Sequence, residues 1–70
     1  MLKLNSIENS FIQQHAILSG ITQKLGLHMS LNDAGWVVTD PLQRCLVMTA
    51  RQIPKEAGAL EDKLRRVFFN

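Results

Sequence analysis

The clearest pattern in the chain is an apolar stripe near its beginning, with alternating spacings of three and four residues. One glutamine interrupts the stripe, whose positions are Leu4, Ile7, Phe11, Gln14, Leu18, Ile21 and Leu25. This period places the side chains on one side of an α-helix. Asn5 or Ser6 can cap its start and Gly26 can end it, so the pattern predicts a helix over residues 6–25. Such a stripe has to be covered, either by the rest of the chain or by a second molecule.

The period changes to two after this helix, which is typical of a β-strand. Leu27, Met29 and Leu31 alternate there with polar residues, and residues 32–35 are turn formers that end in a glycine. Residues 36–39 have strong strand propensity. Together the two segments predict a β-hairpin.

Residues 40–53 have two interpretations, because an Asp-Pro pair can begin a helix or a type I turn. A helix would gather most apolar residues on one face and leave Val47 and Met48 on the other. In the strand interpretation, residues 40–43 turn the chain and residues 44–51 pair back, with Leu46, Met48 and Ala50 on one face. We favour the strand, since a third strand gives the sheet a coherent face for helices to cover.

A closing helix is predicted after Pro54, which suits its first turn, and its apolar positions are Ala57, Leu60, Leu64 and Val67. Two i,i+4 ion pairs support it, namely Glu61 with Arg65 and Asp62 with Arg66. We therefore expect a single small α+β domain over residues 1–70, in the order helix, three-stranded antiparallel sheet, helix (α-β-β-β-α). The alternative fold is mostly helical with one β-hairpin.

Composition excludes several classes of protein. A hydrophobic content of 46% with 20% charged residues argues against disorder. A domain of 70 residues buries a small share of its surface, so oligomerisation is an expected source of stability. The single Cys45 cannot form an internal disulfide, the first residues do not resemble a secretion leader, and no apolar run could cross a bilayer. These features favour a soluble cytoplasmic protein without a membrane partner.

Charge and candidate chemistry add little to this picture. The net charge of +2 is only a weak indication of a nucleic-acid partner, because the basic residues are interleaved with acids. His15, His28, Asp33 and Cys45 lack the spacing of metal ligands. The chain also lacks a phosphate loop, a nucleophile elbow and a carboxylate pair placed for acid-base chemistry. We expect no enzymatic activity, no metal and no cofactor.

Three features are candidates for contact with a protein partner. Gln14 either fixes the register of an interface or lies at the rim of the helix contact, in reach of solvent. Trp36 either anchors the core or lies on an uncovered sheet face and helps to bind a peptide. Phe68 and Phe69 point in different directions from a helix, so they either close the core or mark an interface.

The order of the predicted elements resembles that of a known family. Residues 25–27 close the first helix, residues 32–35 form the first turn, and Ile53-Pro54 leads into a Leu-rich helix ending at Asn70. This arrangement is similar to the N-terminal half of class I type III secretion chaperones. The resemblance implies a small cytoplasmic homodimer that holds an extended segment of a secreted effector along apolar patches, without nucleotide or metal. The family continues with further strands and a final helix, and its members are usually acidic.

The leading hypothesis is a non-enzymatic protein-binding module, acting as a chaperone, adaptor or small inhibitor. It would dimerise or bind a protein partner through the first helix and the adjacent sheet. The predicted interface residues are Ile7, Phe11, Gln14, Leu18, Ile21, Trp36 and Phe68. The alternative is a small basic nucleic-acid-binding transcriptional regulator of phage or plasmid type, with residues 41–53 helical. A third hypothesis is a fragment or structural subunit of a larger assembly.

Overall fold

Two helices flank a three-stranded sheet in the computed structural model, which describes the backbone of residues 6–69 and the side chains of residues 9–69. Its elements are helix α1 (Ser6–Leu25), strands β1 (His28–Asn32), β2 (Gly35–Thr39) and β3 (Cys45–Met48), a 3-10 turn (Ala50–Gln52) and helix α2 (Ala57–Phe68). The strands lie in the order β1-β2-β3, with antiparallel pairing throughout. The predicted α+β fold is confirmed. Neither described helix has the length and apolarity needed to span a membrane.

Helix α1 covers the predicted residues, and a glycine ends it. Gly26 has φ +73°, a conformation that residues with a Cβ rarely adopt. The Gly26 N–H donates to the Gln23 carbonyl at 3.3 Å, and the Leu27 N–H donates to the Thr22 carbonyl at 2.8 Å. These two bonds form a Schellman motif, which satisfies the last carbonyls of the helix and leads the chain into β1.

The helices and one face of the sheet surround a single core. Trp36 and Val38 of β2 point into it, and Met48 of β3 lies opposite Trp36. Helix α1 contributes Leu18 and Ile21, from the C-terminal half of its stripe. The other buried apolar residues are Leu27, Ile53, Leu60, Leu64 and Phe68. The chain therefore covers the C-terminal half of the stripe by itself.

Helix α2 presents every fourth residue to this core, namely Leu60, Leu64 and Phe68. The prediction that Ala57 and Val67 belong to the buried stripe is wrong, since Ala57 is exposed and Val67 is 43% exposed. Steps of four residues advance the stripe by only about 40° each, so Phe68 stays on the buried side. The helix begins at Ala57, so Pro54 precedes it and does not lie in its first turn as predicted.

Strand β3 ends at Met48, earlier than predicted. Ala50, predicted to lie in the strand, begins the 3-10 turn instead. The Thr49 N–H donates to Gln52 Oε1 at 2.9 Å, and the Gln52 N–H donates to the Thr49 carbonyl at 2.9 Å. Strand β2 begins at Gly35, which the register places opposite Thr49, so a longer β3 would have no β2 residue to pair with. The alternative helix over residues 41–53 is not present.

The hairpin between β2 and β3 turns through three residues. The Gln43 N–H donates to the Asp40 carbonyl at 2.9 Å, and the Asp40 N–H donates to the Arg44 carbonyl at 3.1 Å. Gln43 has φ +68°. This geometry matches a type I turn followed by a left-handed residue, a position that favours glycine.

The Asp40 carboxylate joins this hairpin to α2. Its oxygens accept the Arg44 backbone N–H at 2.8 Å and the Arg44 Nε–H at 2.6 Å. The same guanidinium donates through Nη2 to the Phe68 carbonyl at 2.8 Å, at the C-terminal end of α2, where a cation is favourable. Burial opposes ionisation of Asp40, but the hydrogen bonds and charge of Arg44 outweigh it and hold the Asp40 pKa below its ordinary value of 3.8.

Glu61 on α2 joins the two helices. It accepts hydrogen bonds from Lys24 Nζ on α1 and from Arg65 Nε, each at 2.9 Å. The hydrogen bond from Lys24 is the largest cause, and that from Arg65 the next, of a Glu61 pKa below its ordinary value of 4.5. The predicted pair of Glu61 with Arg65 is confirmed. Among residues 9–69 the predicted pair of Asp62 with Arg66 is absent.

Replacing Gln43 by glycine tests the strain in the second hairpin. We expect Gln43→Gly to raise the free energy of unfolding by about 0.5–1 kcal/mol, because relief of the left-handed strain exceeds the added entropy of the unfolded chain. Urea denaturation followed by Trp36 fluorescence measures the change. Gln13→Gly, at an exposed position in α1, is the control and should lower stability by about 1 kcal/mol. Equal losses in both variants would contradict strain at Gln43.

The lowered pKa of Asp40 gives a pH dependence of stability. The unfolded chain binds a proton at Asp40 more tightly than the folded chain does. The contribution is therefore complete above about pH 3.8 and is lost as the pH falls through the folded-state value. We expect Asp40→Asn to lower the thermal midpoint at pH 7 and to flatten its fall under acid conditions. Circular dichroism at a series of pH values measures both effects.

Asp62→Asn is the matched control for Asp40→Asn, because Asp62 is an exposed carboxylate outside the ion pairs described above. An equally large loss of thermal stability in both variants at pH 7 would contradict a specific role for Asp40.

Candidate protein-binding groove

An open groove lies between the N-terminal half of α1 and the tip of the β1–β2 hairpin. Its volume of about 410 Å³ lies within the range of roughly 300–1,000 Å³ that is typical of ligand pockets. We call it the Trp36 groove, and its lining residues are Ser10, Phe11, Gln14, Leu31, Gly35, Trp36 and Ala50. None of these side chains is charged, so the groove suits an apolar or neutral ligand.

Aromatic side chains hold α1 against the hairpin at this groove. The rings of Phe11 and Trp36 lie 5.2 Å apart between centroids, tilted by 33°. His15, one helical turn after Phe11, lies 5.8 Å from the Trp36 ring, tilted by 55°. Tilted rings at these distances attract one another beyond the effect of burial. Trp36 is only 3% exposed, whereas Phe11 is 45% exposed and leaves part of its ring open to a ligand.

Gln14 connects α1 to the 3-10 turn. Its Nε2–H donates to the Ala50 carbonyl at 2.9 Å, and the side chain is half-buried. The polar residue inside the apolar stripe therefore has a partner within the chain. This bond fixes the distance between the helix and the turn on one side of the groove.

Gly35 makes the close turn from which Trp36 starts. It has φ +134°, and a Cβ at this position would lie 2.5 Å from a carbonyl oxygen of β3. The Ala34 N–H donates to the Asn32 side chain at 2.8 Å, which holds the turn in place. The predicted turn with a glycine of positive φ is confirmed. It places Leu31 and Trp36 directly opposite each other.

Strand β1 is an edge strand, and Leu31 belongs to both this edge and the groove. In an antiparallel ladder, hydrogen-bonded residue pairs alternate with pairs that are not hydrogen-bonded. Asp40 and Arg44 are a hydrogen-bonded pair, which fixes this alternation along β2. Even-numbered residues of β2 therefore bond to β3, and odd-numbered residues bond to β1. With the observed register, the backbone N–H and C=O groups of Met29 and Leu31 point to the free edge. No strand within residues 6–69 pairs with this edge.

The structure places the predicted interface residues in different surroundings. Those that line the groove are Phe11, Gln14 and Trp36. Those buried in the core without lining the groove, with at most 7% exposure, are Leu18, Ile21 and Phe68, whereas Trp36 is both buried and part of the lining. The binding surface proposed below excludes this second group. The Ile7 side chain, like residues 1–5 and 70, lies outside the described part of the chain.

The predicted interface residues do not include four residues of the groove, namely Ser10, Leu31, Gly35 and Ala50. The alternation in β1 predicts that Leu31 faces the core side of the sheet, and it does lie opposite the buried Trp36. It is nevertheless 50% exposed at the end of its strand. The Ala50 carbonyl accepts the hydrogen bond from Gln14, a backbone contact for which side-chain patterns give no signal.

His15, His28, Asp33 and Cys45 do not form a cluster in the described structure. The part of the chain that the structure describes contains no cluster of three or more His, Cys, Asp or Glu residues that could hold a metal. His15 lies against Trp36. Cys45 is exposed on the uncovered sheet face, 3.5 Å from Thr39 Oγ1.

Comparison of the chain with protein-family models, with curated proteins and with solved structures gives no match. The geometry and chemistry of the Trp36 groove are therefore the basis for the function proposed below.

The different roles of Phe11 and Leu18 in the stripe can be measured. We expect Phe11→Ala to lower the free energy of unfolding by about 1 kcal/mol, because the ring is only partly buried. Leu18→Ala, at a position with 0% exposure, should lower it by about 2–5 kcal/mol. Urea denaturation gives both values, and the emission of Trp36 should shift to longer wavelength in Phe11→Ala. A loss at Phe11 as large as that at Leu18 would contradict this division.

Proposed function

We propose that this protein is a non-enzymatic binding module that holds a short extended segment of a protein partner in the Trp36 groove. The observation that carries the proposal is the position of Leu31. Its side chain lines the groove, while its backbone groups point to the free edge of the sheet. One bound segment can therefore use both features at once.

A strand added beside β1 would take its affinity and its specificity from different parts of the edge. The backbone groups of Met29 and Leu31 would bond to the main chain of the segment, whatever its sequence. Every second side chain of the segment would face the groove side of the sheet. Because the groove lining is uncharged and includes the exposed parts of Phe11 and Leu31, apolar side chains are favoured there.

This mode of binding agrees with what the resemblance to type III secretion chaperones implies, namely an extended client segment held on apolar patches. The proposal includes that role, in which the module keeps a client unfolded until it is passed on. An adaptor or a small inhibitor would use the same surface. In each role the module binds its partner without a chemical step.

The nucleic-acid alternative has less support from the described side chains. Lys24 and Arg65 are paired with Glu61, and Arg44 is paired with Asp40. The recognition helix that this alternative places over residues 41–53 is replaced by β3 and the 3-10 turn. Phosphate binding needs basic groups that displace the counterions of the phosphates. Within residues 9–69 those outside ion pairs are Arg51, Lys55, Lys63 and Arg66.

Selection from a library of random 12-residue peptides displayed on phage tests the proposal. We expect the selected peptides to carry apolar residues at alternate positions. Synthetic copies of the selected peptides are then titrated against the protein, and binding is followed by Trp36 fluorescence. Their affinity should be at least tenfold lower for Phe11→Ser and for Leu31→Lys than for the original protein. Ile12→Ser is the matched control, because Ile12 is 51% exposed on α1 but does not line the groove.

Three outcomes would count against the proposal. Selection without an alternating apolar pattern is one, and an equal loss of affinity in Ile12→Ser is another. The third is a dimer of the free protein that Leu31→Lys converts to a monomer, because a second copy would then occupy the groove. A complex with double-stranded DNA in a mobility shift, weakening steeply with salt, would favour the nucleic-acid alternative instead.

A further inference from the structure

The second free edge of the sheet, along β3, differs in character from the β1 edge. All four residues of β3 are apolar and uncharged, with the sequence Cys45-Leu46-Val47-Met48. Edge strands of monomeric proteins usually carry a lysine, a proline or a bulge that prevents pairing with another chain. The β3 strand has no such protection, and Val47 is 47% exposed. Strand β1 has polar residues at alternate positions instead.

The ladder determines which backbone groups of β3 are free. Leu46 and Met48 lie opposite even-numbered residues of β2 and bond to them. The N–H and C=O groups of Cys45 and Val47 therefore point away from the sheet. Within residues 6–69 no strand pairs with this side. The edge thus offers two donors and two acceptors, spaced two residues apart.

We propose that β3 pairs antiparallel with β3 of a second copy of this chain, about a two-fold axis at Leu46. In this register Cys45 lies opposite the partner's Val47, and the reverse holds by symmetry. The four outward groups of one copy then bond to the four of the other, so that none is left over. The Thr49 N–H is already bonded to Gln52, which explains why the pairing stops at the end of β3.

The surroundings of the axis are suited to a second copy. On the uncovered sheet face Val47 lies beside Val37, and pairing extends this apolar row onto the partner's Cys45. Because β3 has no charged residue, no like charges meet across the axis. The Arg44 guanidinium is directed to Asp40 and Phe68 instead. The pairing does not use the Trp36 groove, so it is independent of the function proposed above.

The length of β3 limits the strength of this dimer. A pairing of four-residue strands buries less than the roughly 1,200 Å² of a stable interface. The dimer is therefore reversible and depends on protein concentration. In sedimentation equilibrium the average mass should rise from 7.9 kDa towards twice that value as the concentration approaches the millimolar range.

Val47→Lys should keep the mass monomeric at every concentration, since a lysine at the edge opposes pairing. Ser30→Lys is the matched control, because Ser30 lies on the other side of Val37 and is also exposed. It should dimerise like the original protein. Circular dichroism confirms that both variants are folded. A monomeric mass for the original protein at millimolar concentration, or equal loss of dimer in both variants, would overturn the proposal.

Disulfide formation tests the register independently. In a Cys45→Ser background, Leu46→Cys would bring two thiols together across the axis at a Cα separation of about 4.5 Å, within the range of disulfides. Val47→Cys in the same background places the Cα atoms about 8 Å apart, which is too far. Oxidation should therefore cross-link the first variant into a covalent dimer and leave the second monomeric. Cross-linking through position 47, or through neither position, would overturn the register.

Discussion

The carboxylate of Asp40 lies where the sheet, the second hairpin and the last turn of α2 meet. It binds Arg44 through both the backbone and the guanidinium, and this directs the same guanidinium to the Phe68 carbonyl. The loop thereby sets where α2 ends relative to the sheet, and α2 carries Glu61, which binds Lys24 of α1. Apolar burial drives the elements together but is not directional. In a domain of this size, these few polar contacts select one arrangement of the helices over its neighbours.

The groove follows from a mismatch in length between α1 and the sheet. A helix of 20 residues is about 30 Å long, whereas a strand of five residues spans about 17 Å. The C-terminal half of α1 packs against α2 and the sheet. Its N-terminal half reaches the tip of the β1–β2 hairpin and the 3-10 turn, where Phe11 packs against Trp36 and Gln14 bonds to Ala50. A longer hairpin would cover the apolar surface that remains open there. The same short sheet leaves two free edges, one beside the groove and one apolar along β3.

Sequence patterns predict those features that depend on local periodicity. The helix α1, its end at Gly26 and the turn at Gly35 each have a local cause, and the structure confirms them. The buried face of α2 was predicted only in part, because Val67 and Phe68 are neighbours at the edge of the stripe and packing decides between them. The groove itself depends on relative lengths and on a backbone carbonyl, so only Phe11, Gln14 and Trp36 could be proposed as its residues. The left-handed conformation of Gln43 could not be predicted either, because a glutamine gives no sign that the loop forces its φ to +68°.

The contacts that cover α1 also determine which part of the chain stays exposed while the protein is being synthesised. Gln14 binds a residue 36 positions later and Lys24 one 37 positions later, while the two hairpins close over short distances along the chain. A chain made from its N-terminus therefore produces α1 first and its cover last. Until α2 has left the ribosome, Leu18 and Ile21 can pack only against the sheet residues, and the side that α2 covers stays open. This half of the stripe is therefore accessible to other proteins until synthesis of α2 is complete.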